Sequence, residues 1–221
     1  MAQDCTHGGW TLAAVGMLRE ARLVEGPNIK AVAGGGRSSL LLQRLQAAAD
    51  GAGGVLSIGL GGALDPQLKV GDVVIASEVI SDGVRWPVDE AWSDRLAAAL
   101  PPARRAVLYG SEAMILTGAH KERLHGQTGA ALADMESHTA AEFATQRGLP
   151  FAGVRVVSDS ASSDLPRAVT AGMKPNGGMN LIGVLAALAA DPRQLPALMR
   201  AGREAEIAFR VLADLAGKLR P

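Results

Sequence analysis

Short runs rich in Val, Ile and Ala alternate along this chain with longer Ala/Leu stretches, and several of the short runs end in glycines. Runs at 11–16, 29–33, 54–59, 70–76, 106–109, 113–117, 130–135 and 150–158 read as strands. Residues 38–50, 91–100, 137–147 and 194–219 carry apolar positions at helical spacing. Pro101-Pro102 stops the second of these helices and Gly148 the third. Strands separated by helices are joined by crossovers, so the pattern calls for an α/β fold with a central, largely parallel sheet. No internal repeat or low-complexity linker breaks the 221 residues, a length that suits one domain over residues 1–221. The Ser/Pro/Gly-rich stretch 160–178 reads as a loop inside that domain.

Composition excludes several functions. Formal net charge is zero, so no basic excess marks a nucleic-acid partner. Cys5 is the only cysteine, which leaves no disulfide framework and no thiolate metal cluster. The first ten residues lack the apolar core of a signal peptide. The run Leu181–Ala190 is too short to span a bilayer, which takes about 20 residues. A cytoplasmic protein is the expectation.

Five segments could carry chemistry. Gly34-Gly35-Gly36-Arg37 lies between a strand and a helix. Backbone N–H groups of Gly36 at a helix N-terminus, with the Arg37 guanidinium, could hold an anion. A tight turn with a solvated arginine fits equally well. No G-x-x-x-x-G-K-[ST] is present, so this is not a P-loop. Gly59-Leu60-Gly61-Gly62-Ala63-Leu64 follows another strand, but Leu64 stands where the dinucleotide fingerprint needs its third glycine. Its glycines suit a floor where backbone meets ligand. Glu136 and Asp159 sit at the carboxyl ends of strands, where ligands bind in open α/β sheets. Glu136 could accept from a ribose diol or could cap a helix. Arg155, inside an apolar strand, needs an anionic or hydroxyl partner, and a structural ion pair would serve. Glu20, a few residues past the first strand, would by itself be read as helix surface.

Taken in order, these segments resemble the nucleoside phosphorylase/nucleosidase family, which includes the methylthioadenosine/adenosylhomocysteine nucleosidases. Gly16-Met17-Leu18-Arg19-Glu20-Ala21 is similar to the family's G/A-M-x-x-E-[AV]. Leu64-Asp65-Pro66-Gln67-Leu68-Lys69-Val70-Gly71-Asp72-Val73-Val74 is similar to its L-x-P-x-L-K-[VP]-G-D-[IVL]-V. Met135-Glu136-Ser137 matches M-E-[AS], and Val154-Arg155-Val156-Val157-Ser158-Asp159 matches [VI]-R-x-[IV]-S-D. The tail and the Gly34–Arg37 turn resemble the hopanoid-associated phosphorylases within that family.

The resemblance implies a three-layer α/β/α domain with a mixed, partly barrel-like central sheet. It implies cleavage of the N-glycosidic bond of a purine nucleoside. In the hopanoid-associated group the reaction releases adenine from adenosylhopane, with phosphate as co-substrate and no metal or organic cofactor. Glu20 then positions the nucleophile near the ribose. Met135 and Glu136 contact the ribose, with Arg155 close by. Asp159 protonates purine N7, and Ser158 orients it. Such an acid must sit above the model value of about 3.9, so Asp159 is expected to be partly desolvated or near another carboxylate. Gly36, Arg37 and the Gly61 backbone are the candidate phosphate or nucleophile ligands. A homo-oligomer and a transient membrane-surface contact for a lipid 5′ substituent also follow from the resemblance.

Two departures stand out. Leu60 occupies the place where nucleosidases usually have serine, and the phosphorylases' R-x-G-[TS] motif is absent. Water therefore remains an alternative nucleophile. No aromatic is evident for stacking on the base. Lys121 or His120 falls near that place, and Trp86 and Trp92 are other candidates. The rivals from other classes are a Rossmann-type oxidoreductase, disfavoured by the failed glycine spacing, and a non-catalytic nucleoside-binding module.

Overall fold

The structure, a computed structural model, describes residues 9–100, 102–171, 178 and 180–219. Cys5 lies outside the described residues. In chain order the elements are β1 (Trp10–Val15), α1 (Leu18–Val24), β2 (Ile29–Ala33), α2 (Ser38–Ala48), β3 (Ala52–Ala63), β4 (Val73–Ser81), β5 (Val84–Pro87) and α3 (Glu90–Ala99). They continue with β6 (Arg104–Gly110), α4 (Gly118–Thr128), β7 (Leu132–Asp134), α5 (Ser137–Arg147), β8 (Phe151–Asp159), α6 (Arg167–Ala171), α7 (Leu181–Ala190) and α8 (Leu195–Leu219).

One mixed sheet holds all eight strands, in the order β2-β1-β3-β7-β6-β4-β5, with β8 paired to both β3 and β4. β3, β8, β4, β6 and β7 therefore close into a five-stranded ring, the partly barrel-like centre that the sequence implied. The length of β3 makes this closure feasible. Its first half pairs in parallel with β1, residues Val55–Gly62 pair in parallel with β8, and its far end, Gly62 and Ala63, pairs antiparallel with β7.

Side chains that alternate along each strand feed two separate cores, one per face of the sheet. On β1, Ala13 and Val15 join one core while Leu12 and Ala14 join the other. The first core packs Trp92 and Leu96 of α3 and Phe209 and Leu212 of α8 onto Ile58, Val154 and Val156. The second packs Leu41 and Leu45 of α2 and Phe143 of α5 onto Val55, Val74 and Leu108. Helices thus cover both faces, giving the three-layer arrangement. β8 is buried on both faces, so its sequence is a near-continuous apolar run, broken by Arg155, rather than an alternating one.

Several sequence expectations are corrected. Residues 113–117 form no strand. Ile115 is buried in a small satellite core with Leu64 and Leu124, and Thr117 caps α4 by accepting from the His120 N–H at 3.3 Å. β4 starts at Val73 instead of residue 70, because Lys69–Asp72 is a turn. There the Asp72 N–H donates to the Lys69 carbonyl at 2.9 Å, and Gly71 takes a φ of 92° that favours glycine. The loop expected over 160–178 contains α6, and 172–177 lie outside the described residues. Among the described residues no helix is long and apolar enough to cross a membrane.

Candidate active site

The carboxyl ends of β1, β3, β7 and β8 converge on one cavity of about 330 Å³, within the range of small-ligand pockets. Glu20, Gly61, Met135, Glu136, Ser158 and Asp159 all line it. These residues span some 140 positions of chain, and only the parallel topology brings them together.

Glu20 is not helix surface. It is 2% exposed, and its carboxylate folds back over the start of α1. One oxygen accepts from the backbone N–H groups of Gly16 at 2.8 Å and Met17 at 2.7 Å, and the other from Leu60 at 2.9 Å. Leu60 thus contributes through its backbone, where a serine side chain was expected to be missed. Burial pushes the Glu20 carboxyl above its usual range, against the lowering effect of these N–H donors and the more distant Arg155. Gly59 is required by this packing, because a Cβ there would stand 2.7 Å from a Glu20 oxygen.

Glu136 occupies the N-cap position of α5 but does not cap it. Asp134 does, accepting from the Glu136 N–H at 2.8 Å, the Ser137 N–H at 2.7 Å and the Ser137 hydroxyl at 2.6 Å. The Glu136 side chain is left to face the cavity beside Gly16, where a Cβ would approach its carboxylate to 2.8 Å. Burial raises the Glu136 carboxyl to about 8. Arg155 opposes the rise, and the charges of Asp134 and Glu20 add to it.

Arg155 does not line the cavity. It is fully buried behind it, donating to Ser57 Oγ at 2.6 Å and to Asp134 at 3.0 Å. Both partners required by a charge in an apolar strand are therefore present. Burial pushes the Asp134 carboxyl up, but Arg155 and the Ser137 hydrogen bonds outweigh it and hold it below its usual value. Burial would lower Arg155, and Asp134 together with the two glutamates keeps it firmly charged.

Asp159 is buried at the end of β8, as expected for a desolvated acid. Its charged neighbour, however, is a cation. Lys121, from the first turns of α4 and only 1% exposed, donates to one Asp159 oxygen. The Ser158 hydroxyl lies 2.7 Å from the other oxygen and 3.1 Å from the Gly61 carbonyl.

Gly36 and Arg37 are not brought together with Gly61. Neither lines the cavity, and Arg37 is exposed at the N-cap of α2. The turn stays close to β1 through the Gly35 N–H, which donates to the Gly16 carbonyl at 2.8 Å. His120 is exposed, and neither Trp86 nor Trp92 reaches the cavity. Trp92 is core, pressed against Gly54. The ring that does line the cavity is Phe209 of α8, with Arg19 stacked 3.9 Å over it. Spacing alone gave no reason to place a residue so far along the chain at this site.

A partly closed α/β sheet with buried acids beyond three strand ends, around one cavity of small-molecule size, is the arrangement of a small-molecule enzyme. The chain belongs to the phosphorylase superfamily, whose sequence model matches residues 30–188. It is similar in structure to futalosine hydrolase of Helicobacter pylori strain 26695, with a TM-score of 0.68, 15% identity, and 97% of this chain and 98% of that one covered. It is also similar to 5′-methylthioadenosine/S-adenosyl homocysteine nucleosidase of Campylobacter jejuni, with a TM-score of 0.63, 14% identity, and 92% and 100% covered. At these identities the likeness is one of fold. Comparison with curated proteins gives no match. Membership of the superfamily makes the chain an enzyme acting on the N-glycosidic bond of nucleosides.

Proposed function

We propose that this enzyme releases adenine from an adenine nucleoside with a large apolar 5′ substituent, adenosylhopane being the substrate that the sequence resemblance names, and phosphate the nucleophile. The observation that carries the reading is the convergence of Glu20, Glu136 and Asp159 on one cavity. Bond cleavage builds positive charge on the ribosyl ring and negative charge on the base. Glu20 and Glu136 suit the sugar side, where a carboxyl group pairs with hydroxyls and, in its ionised form, stabilises positive charge. Asp159 suits the base side, where N7 takes a proton. The remaining wall supports an apolar substituent, since Leu165, Val169, Ala201, Ala205 and Phe209 continue it toward α6 and α8.

Hydrolysis is the second reading, and one observation favours it. Among the described residues the only cation lining the cavity is Lys121, already engaged by Asp159, while Arg37 is exposed elsewhere. Analysis of the sugar product decides between the two. Phosphorolysis gives a ribosyl phosphate and a rate that rises with phosphate, and an Arg37→Ala variant with an unchanged phosphate requirement then removes Arg37, which lies outside the cavity, as a phosphate ligand. A free reducing sugar formed at the same rate without phosphate establishes hydrolysis and removes Arg37 from the mechanism.

A further inference from the structure

Lys121 is the one buried lysine in the described chain, and the roles assigned above leave it unused. An ammonium has three donors, and this one finds three acceptors: an Asp159 carboxylate oxygen, the Ser160 carbonyl at 2.9 Å and the Ser163 carbonyl at 3.2 Å. The segment that follows β8 is also fastened to α4 without it. The Gly118 N–H donates to Asp164 at 2.8 Å, and the Leu165 N–H to the Leu116 carbonyl at 2.8 Å. Burying a lysine is costly, and the loop has other ties, so loop attachment alone does not account for it. Ser158 and Lys121 together engage both oxygens of Asp159, which fixes the carboxylate against Gly62 at the cavity wall. An ionised carboxylate in that setting only accepts hydrogen bonds. Any proton that Asp159 passes on must therefore be replaced through a neighbouring donor, and Lys121 is the donor in contact.

We propose, resting on the glycosidic-cleavage reading above, that Lys121 is the positioning residue for the leaving base: it holds Asp159 toward the base and supplies the proton that Asp159 passes on. As the C1′–N9 bond breaks, its electron pair moves to the base. The Asp159 oxygen delivers a proton to N7 and takes one from the Lys121 ammonium. The base leaves neutral, Lys121 remains as the amine beside the Asp159 carboxylate, and a proton from water admitted after the base departs restores it.

Lys121→Met keeps the stem and removes the ammonium. Lys121→Gln is the second variant, keeping a donor for the loop carbonyls should the first fail to fold. Turnover is compared on an adenine nucleoside and on a nitrophenyl riboside, whose leaving group departs without a proton. Either folded variant should lose about a hundredfold or more in kcat on the adenine nucleoside, with KM little changed, and much less on the nitrophenyl riboside. Equal losses on both substrates, or none on either, overturn the proposal. Calorimetric binding of free adenine is measured alongside. If wild-type protein binds adenine but cleaves neither substrate, the cleavage reading has failed, and Lys121 is then judged on binding. An affinity at least tenfold weaker in the variants keeps its role in holding Asp159 toward the base and ends its role as proton source. Unchanged affinity, or no adenine binding by the wild type, overturns the whole proposal.

Discussion

At the scale of single residues, the site depends on which carboxylate is neutralised by what. Asp134 takes Arg155 and the α5 N-terminus for itself, so Glu136, two residues on, has no cation in contact among the described residues. Its carboxyl is raised to about 8 from 4.5, chiefly by burial. Between those values the unfolded chain has released its proton while the folded chain keeps it, so stability falls as pH rises through this window. The cost accrues at up to about 1.4 kcal/mol per pH unit. Glu20, also raised by burial, acts in the same direction. Urea unfolding at pH 5 and pH 8 should show Glu136→Gln gaining stability relative to wild type at the higher pH. An identical difference at both values would show that Glu136 is ionised throughout. Sequence reading found Glu136 and Asp159 from their places at strand ends, but it could not divide the labour between Asp134 and Glu136. That division depends on the side of the α5 entry from which Arg155 arrives, a matter of register between β7 and β8 through β3.

At the scale of elements, the strands were the legible part. β2 has the bounds read from its sequence, and β8 those bounds to within a residue, because an apolar run bounded by turn residues has few alternatives. α4 was not legible. Its sequence, GAHKERLHGQT, is polar almost throughout, and it buries only Lys121 and Leu124. With no apolar stripe there was no periodicity to read, and the buried lysine looked like one more surface charge. The short apolar run before it read as a strand, although Ile115 is buried as a loop residue. β3 shows a different case, in which glycines read as a floor where backbone meets ligand are also packing requirements. Gly59→Ala would drive a methyl against Glu20 and disrupt its three backbone hydrogen bonds. A stability loss of about 1–3 kcal/mol in chemical denaturation is expected, accompanied by a fall in turnover. A variant with wild-type turnover would mean that Glu20 has room to move without consequence.

At the scale of the whole molecule, a closed ring of five strands joins an open sheet at β3, and the cavity lies where the strand ends meet. Four short sequence motifs, each weak alone, became informative because the fold gathers the carboxylates of three of them, Glu20, Glu136 and Asp159, at one cavity. The apolar side of the cavity, from α6 and α8, was less legible, since Ala201, Ala205 and Phe209 look like any amphipathic helix face until the tertiary structure sets them beside the acids. The account's central claim is that this cavity breaks a glycosidic bond with Asp159 on the base side. The most direct test is the rate of adenine release from an adenine nucleoside by wild type and by Asp159→Asn, whose amide oxygen still accepts from Lys121. The account predicts release by wild type and a loss of about a hundredfold to ten-thousandfold in the variant, with cooperative thermal unfolding retained. Release at the wild-type rate by the Asn variant, or no adenine from wild type, would contradict it.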